Sequence, residues 1–268
     1  MNSALVLARG AGKRMRMSDA GAALTPEQRE AADRGLKGMM PINGRPFLDF
    51  VLSTLADAAL TRVALVVAPG LGPAQEHYET HPPERVHLDF VVQQHPIGTA
   101  NAVLAGERWS REAPFVVVNS DNLYPADVLR QLASLNEPGL PLFRRADLLE
   151  TSNIPEERVQ AFALLETDRD GYLKAITEKP APVVLQAAGA NAPISMNCWR
   201  FDARIFKYCR DVRPSSRGEY ELPQAVMNAI ASGVRFRTIE GRGAVLDLSQ
   251  RADVADLERR LASSRPQP

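Results

Sequence analysis

The chain lacks an excess of charge of either sign. Its 268 residues carry 32 Lys and Arg against 32 Asp and Glu, for a formal net charge of zero. Broad nucleic-acid binding needs a basic excess or a basic stripe, so nucleic acid is not an expected partner. A local basic pocket for a small phosphate ligand stays open. No apolar run reaches the ~18–20 residues of a membrane-spanning helix, and no membrane partner is expected. The opening MNSALVLA is too short an apolar run for a secretory leader, has no basic start and leads into glycines. Cys198 and Cys209 are the only cysteines. Two cannot build a disulfide framework, and these lack zinc spacing. They read as small apolar core residues, and a reducing cytoplasm is the expected location. The four histidines have no metal spacing. Two well-known phosphate signatures, G-x-x-x-x-G-K-[ST] and G-x-G-x-x-G, are also missing.

What is present is an alternation of strand-like and helix-like segments. Residues 4–8, 63–67, 88–92 and 115–118 are short apolar runs that read as buried strands. Residues 46–59 show helical spacing through Phe47, Phe50, Val51, Leu55 and Ala58, and 99–108 and 125–135 read as further helices. Alternation of this kind implies an open, largely parallel sheet with helices on both faces. Later, 161–166 and 172–177 form a hairpin pattern around Asp170-Gly171. Residues 193–201 are extended, 203–209 and 222–232 helical, 236–240 and 244–248 extended, and 251–261 a last helix. No repeat or linker divides the chain. One domain over 1–262 is expected, with 263–268, polar and Pro-rich, as a frayed tail.

Chemistry gathers where these runs end. The first strand runs into Leu7-Ala8-Arg9-Gly10-Ala11-Gly12-Lys13-Arg14. Glycines there let backbone N–H groups approach an anion, and Arg14 adds fixed charge. Lys37 stands between apolar residues. Asp121 follows the strand at 115–118, at the place where α/β sheets carry ligand sites. Asp247 interrupts the apolar run Val245-Leu246-Asp247-Leu248, and a buried unpaired carboxylate is costly. Thr25, Pro26 and Gln28 read as the capped start of a short helix, for which a lid over a polyphosphate is one use.

Taken in order, these blocks resemble the sugar-1-phosphate nucleotidyltransferases of the glucose-1-phosphate thymidylyl- and uridylyltransferase type. The glycine turn with Leu36-Lys37-Gly38-Met39-Met40-Pro41-Ile42-Asn43-Gly44-Arg45-Pro46 is similar to the two-part N-terminal signature. Gln93-Gln94-His95-Pro96-Ile97-Gly98-Thr99-Ala100 resembles the base-reading loop, Ser120-Asp121-Asn122 the G-D metal motif, and Glu178-Lys179-Pro180 the E-K-P motif. Met196 to Asp202 resembles the N-x-G-x-Y-x-F-D strand, Gly218-Glu219-Tyr220-Glu221 the G-E-x-E block, and 245–248 the late strand with a second aspartate.

The resemblance implies a three-layer α/β/α fold with a mixed, mostly parallel Rossmann-like sheet, the nucleotide-diphospho-sugar transferase fold. It implies an enzyme that joins a nucleoside triphosphate, UTP or dTTP, to a sugar 1-phosphate and releases pyrophosphate. Ala8, Gly10, Ala11, Gly12, Gln93, Gly98 and Thr99 are then nucleotide contacts. Arg14, Lys37, Asp121 and Lys179 are catalytic, and Asp121 with Asp247 holds Mg²⁺. Glu178, Asn197, Trp199 and Glu219 line the sugar pocket. The chain departs from the family pattern in several places. Arg9 replaces a turn glycine, Lys13 stands where Thr is common, and the stretch between Arg14 and Lys37 is longer. Asn197 replaces a glycine and Trp199 a tyrosine, which puts the usual hexose in question. A cytidylyltransferase for an alcohol phosphate and a non-catalytic nucleotide-sugar sensor are the alternatives, and self-association into a homo-oligomer stays open.

Overall fold

Short β-branched runs and amphipathic helices alternate through the first half of the chain. The computed structural model describes every residue except Ala11, Ser18 and Ala20. In order come β1 (Ser3–Leu7), α1 (Lys13–Arg16), α2 (Pro26–Arg34), β2 (Pro41–Ile42), β3 (Arg45–Pro46), α3 (Phe47–Asp57) and β4 (Arg62–Val67). They are followed by α4 (Pro73–Thr80), β5 (His87–Val92), α5 (Thr99–Ala105), α6 (Glu107–Ser110), β6 (Phe115–Asn119), β7 (Asn122–Leu123) and α7 (Ala126–Ser134). The second half adds β8 (Gly139–Arg144), α8 (Arg145–Thr151), α9 (Glu156–Val159), β9 (Ala163–Thr167), β10 (Leu173–Thr177), α10 (Pro182–Ala188) and β11 (Pro193–Ser195). It closes with β12 (Trp199–Phe201), α11 (Arg204–Asp211), α12 (Leu222–Ala231), β13 (Arg237–Gly241), β14 (Leu246–Asp247) and α13 (Asp253–Arg260).

A ten-stranded sheet runs through both halves in the order β10-β9-β11-β8-β12-β6-β1-β4-β5, with β13 beside β8. Strands β5, β4, β1 and β6 are mutually parallel. Strand β12 then joins β6 antiparallel, with Trp199 opposite Val117. The expected mixed Rossmann-like α/β/α architecture is present. Alternate residues of the parallel strands feed two apolar layers. Ala4, Val6, Leu65, Val116 and Val118 pack with residues of α3 and α7. Leu5, Ala64, Val66 and Val117 pack with residues of α5, α11 and α12. Burial on both faces is why β1, β4 and β6 read as unbroken apolar runs, whereas β5, expected to be buried, is the half-exposed edge strand of the sheet. Among the described residues, no helix is long and apolar enough to cross a membrane.

Two further expectations change. The tail at 263–268 is docked, not frayed: Pro268 O accepts the N–H groups of Glu84 and Arg85, and Gln267 N–H donates to Ser53 Oγ. These bonds satisfy backbone groups that a loose tail would leave to water. The helix expected over 99–108 is broken at Gly106 into α5 and α6. The anticipated cap is present: Thr25 and Gln28 form a capping box at the start of α2. That helix is seated by buried Ala31 and Ala32, and Gln28 Nε2 donates to Pro41 O and Glu258 Oε1.

Candidate active site

The parallel strands deliver their following residues to one edge of the sheet, as the topology requires. After β1 comes the glycine turn, and after β6 come Ser120 and Asp121. Ser120 N–H donates to Leu7 O and so ties the two strand ends together. Gly38 lies over Ser120, since a Cβ on it would sit 3.7 Å from Ser120 Cβ. This approach brings Lys37 onto Asp121, with Nζ 2.8 Å from Oδ2 and both side chains partly shielded.

The small β7–β14 ladder sets the second carboxylate beside the first. Asp247 pairs with Asn122, and Leu248 N–H donates to Asp121 O. Asp247 is almost fully buried. Its Oδ1 accepts from Asn122 Nδ2 at 2.8 Å. Its Oδ2 lies 2.8 Å from Arg158 Nη2, out of line for a hydrogen bond, and so counts as an ion-paired oxygen without a donor. Burial, then the nearby Asp121 carboxylate, pushes Asp247 up to about 6, against the pull of Arg158 and of the Ser249 side chain. The two candidate metal ligands therefore share one place. Among the described residues, no group of three or more His, Cys, Asp or Glu is placed to hold a metal. Arg158 was not among the residues the sequence singled out.

The glycine turn divides its work. Gly12 has φ +58°, and a Cβ there would meet Gly35 O at 2.4 Å, so the end of α2 demands this glycine. Gly10 is exposed and crowded by nothing, which leaves its backbone open to a ligand. Ala8 donates its N–H to Val66 O, and Ala11 lies outside the described residues. Arg14 is exposed on α1. Arg9 turns to donate to the carbonyl of Gln93, clipping the glycine turn to the loop that begins there.

That loop is braced from within. Gln93 Nε2 donates to Gly98 O at 3.1 Å and to Asn101 Oδ1 at 3.0 Å, so both amide hydrogens are used. The carbonyl partner fixes which way the amide points. Gly98, at φ +124°, admits the backbone of Tyr220, whose O would lie 2.4 Å from a Cβ. Thr99 Oγ1 accepts from Leu222 N–H. The 93–99 loop and the 219–222 segment are thus interlocked, and Gly98 and Thr99 serve that lock.

The residues expected to line a sugar pocket divide. Glu178 is solvent-exposed, yet desolvation by surrounding protein and the Glu221 carboxylate raise it, with Arg217 and Lys179 opposing. Arg217 holds Glu221 at 2.9 Å and Glu219 at 4.0 Å. Lys179 has φ +45°, an unusual strain for a long side chain. Asn197 is exposed with φ +56°, which explains why a glycine suits that position. Tyr124, buried with its ionisation pushed well up by burial, donates to Met196 O and anchors the same turn. Trp199 corrects an expectation. It is fully buried, stacked on Phe201 at 5.8 Å, and packed among the α11–α12 core residues, so it fills the core and does not line the pocket. Cys198 and Cys209 are buried thiols, as expected. A cavity of about 570 Å³ lies away from these residues, at the β5 edge between Arg62, Asp89, Arg108 and Trp109, and contains no candidate residue.

A carboxylate pair, a lysine on one of its members, a glycine turn and a braced loop at one sheet edge suit a nucleotide-handling α/β protein. The Nucleotidyl transferase family matches residues 3–262, and the chain belongs to it. It is similar to the UTP–glucose-1-phosphate uridylyltransferase AglF of Haloferax volcanii, 27% identical over 96% of both chains. It is also similar to a glucose-1-phosphate thymidylyltransferase of Actinoplanes sp., 28% identical over 81% of this chain and 68% of the relative. Of two further relatives the chain spans 65% and 48%. The solved structure of the inositol-1-phosphate CTP transferase from T. maritima shares the fold, with TM-score 0.73 and 18% identity over 98% of this chain and 97% of that one.

Proposed function

We propose that the chain transfers a nucleoside monophosphate from UTP or dTTP to a sugar 1-phosphate and releases pyrophosphate. The observation that carries this reading is the 2.8 Å Lys37–Asp121 pair, held next to Asp247 at the edge that also bears the glycine turn. In the reaction, an oxygen of the sugar phosphate bonds to the α-phosphorus. The bond from that phosphorus to the bridging oxygen breaks, and pyrophosphate leaves with the electron pair. The attacking oxygen is already anionic near neutral pH, so no general base is needed. The barrier is like-charge repulsion and alignment, which fixed cations address. Lys37 and Arg14 hold the triphosphate and stabilise the departing pyrophosphate, and Lys179 holds the sugar phosphate. Gly10 offers backbone N–H to the phosphates. Glu178, Glu219 and Asn197 face the sugar.

Gln93 has spent its amide hydrogens, so Oε1 is the atom left for the base. An acceptor there suits the N3–H of uracil or thymine. With Trp199 in the core, no aromatic ring narrows the sugar pocket at that position, which favours an ordinary hexose phosphate. The donor set fits Mg²⁺, a hard cation bound through one or two carboxylates plus phosphate oxygens. Asp247 Oδ2, buried and without a hydrogen-bond donor, and the adjacent Asp121 are the residues to hold it. When bound, the ion supplies positive charge to the phosphates.

Pyrophosphate release, measured across a panel of nucleoside triphosphates and phosphate acceptors with Mg²⁺, tests the reading. Release is expected with UTP or dTTP and a hexose 1-phosphate. Release confined to CTP with a polyol phosphate, or none with any pair, overturns it.

A further inference from the structure

We propose that Arg158 is a displaceable counter-ion, which neutralises Asp247 in the nucleotide-free protein and yields that carboxylate to a divalent cation. The inference rests on Asp121 and Asp247 being the metal pair proposed above.

Arg158 sits on the one-turn helix α9 between two buried carboxylates. Its side chain is 11% exposed, that of Asp247 7% and that of Asp253 5%. Nη1 is the anchored end, bonded to Asp253 Oδ1 at 2.7 Å and Oδ2 at 2.8 Å. Asp253 is itself fixed, accepting the N–H groups of Ser249 and Gln250 through Oδ2. Nη2 is the loose end. It stands 2.8 Å from Asp247 Oδ2, yet neither atom makes a hydrogen bond. Charge alone holds that contact, so giving up Asp247 Oδ2 breaks no directional bond.

Asp247 does not need Arg158 to stay in place. Asn122 Nδ2 holds its Oδ1, and Asn153 exchanges two hydrogen bonds with its backbone, at 2.7 and 2.8 Å. What Arg158 supplies is charge. Without ligands, Lys37 pairs with Asp121, and the Arg158 guanidinium is shared by Asp247 and Asp253. A divalent ion entering beside Asp121 and Asp247 meets two fixed cations. A triphosphate arriving with the ion brings the negative charge that offsets them. The free protein should therefore bind the ion weakly, and Arg158 should be one cause.

The test uses Mn²⁺ as the probe, with free Mn²⁺ followed by electron paramagnetic resonance on the full chain at about pH 8 without nucleotide. Arg158→Gln removes the charge and keeps a hydrogen-bonding group for Asp253. Its Kd for Mn²⁺ is expected to fall about tenfold, the scale of one charge acting near a shielded site. Arg158→Lys is expected to stay near wild type. Adding Asp247→Asn to Arg158→Gln is expected to abolish the gain. Unchanged or weaker Mn²⁺ binding by Arg158→Gln overturns the proposal. Should that variant not fold, Arg158→Gln with Asp253→Asn, which leaves no unpaired carboxylate at Asp253, is read against Asp253→Asn under the same expectation. If wild type takes up Mn²⁺ with UTP while Arg158→Gln brings no gain, only this inference falls. If no variant binds Mn²⁺ with or without UTP, the metal reading falls with it.

Discussion

The two halves of the sheet hold their candidate residues by different means. On the parallel side, β1, β5 and β6 end at the same edge, which brings the glycine turn, the loop from Gln93 and Asp121 together; Lys37, from the segment between α2 and β2, reaches Asp121 there across 84 positions. On the antiparallel side, a residue's destination depends on strand parity. Simple alternation gives positions 197 and 199 the same face. Asn197 adopts a left-handed conformation between β11 and β12, the alternation is lost there, and Asn197 faces solvent while Trp199 enters the core. Convergence at parallel strand ends survives small local irregularities. Facing along an antiparallel strand does not survive one residue at positive φ.

The sharpest way to break this contrast is at the parallel edge. Lys37→Met should lower turnover about 100- to 1000-fold, the scale of removing one charged donor from a transition state, with thermal unfolding little changed. A loss below about tenfold removes Lys37 from the chemistry. On the antiparallel side, Trp199→Ala should destabilise the fold by about 3–5 kcal/mol in denaturant titrations. Asn197→Gly relieves a positive φ and should leave stability equal or higher, while raising KM for the sugar phosphate. If instead Trp199→Ala changed KM with stability intact, the core assignment of Trp199 would fail.

A similar contrast lies inside the glycine turn. Gly12→Ala forces a Cβ against Gly35 at positive φ and should cost about 1–3 kcal/mol in thermal or denaturant unfolding. Gly10→Ala should fold normally and lose triphosphate affinity. Equal stability losses at the two positions would erase the distinction between a packing glycine and a ligand-facing one. The smallest effect concerns pH. Asp247 is raised from its ordinary 3.8 to about 6. The folded chain therefore holds this proton more tightly than the unfolded chain does. The stability it contributes is complete below about pH 4 and is lost as pH rises through about 6. Asp247→Asn, which cannot ionise, should gain stability relative to wild type between about pH 4 and pH 7. A difference that stays constant over that range would contradict the raised ionisation.

Much of the parallel side was legible because β1, β4 and β6 are buried on both faces and must be apolar throughout. The cap at Thr25 was legible because capping is local chemistry. Strand β8 was not, because Gly139 and Pro141 argue against a strand in the middle of a sheet. Gly139 is there because β13 passes so close that Arg237 O would lie 2.5 Å from a Cβ. Arg158 could not be found by pattern either. It stands among ordinary charges in Glu156-Glu157-Arg158, and its meaning comes from carboxylates 89 and 95 positions away. Gln93 was named correctly as a loop residue, but the spending of its donor hydrogens is a tertiary fact.

The product itself reports on the carboxylate edge. Wild-type protein and Asp121→Asn are mixed with UTP, glucose 1-phosphate and Mg²⁺, and the mixtures are examined by mass spectrometry for UDP-glucose. UDP-glucose is expected with wild type, and a loss of at least about 100-fold with Asp121→Asn. Undiminished product from Asp121→Asn would contradict it, because the carboxylate edge would then have no part in the transfer.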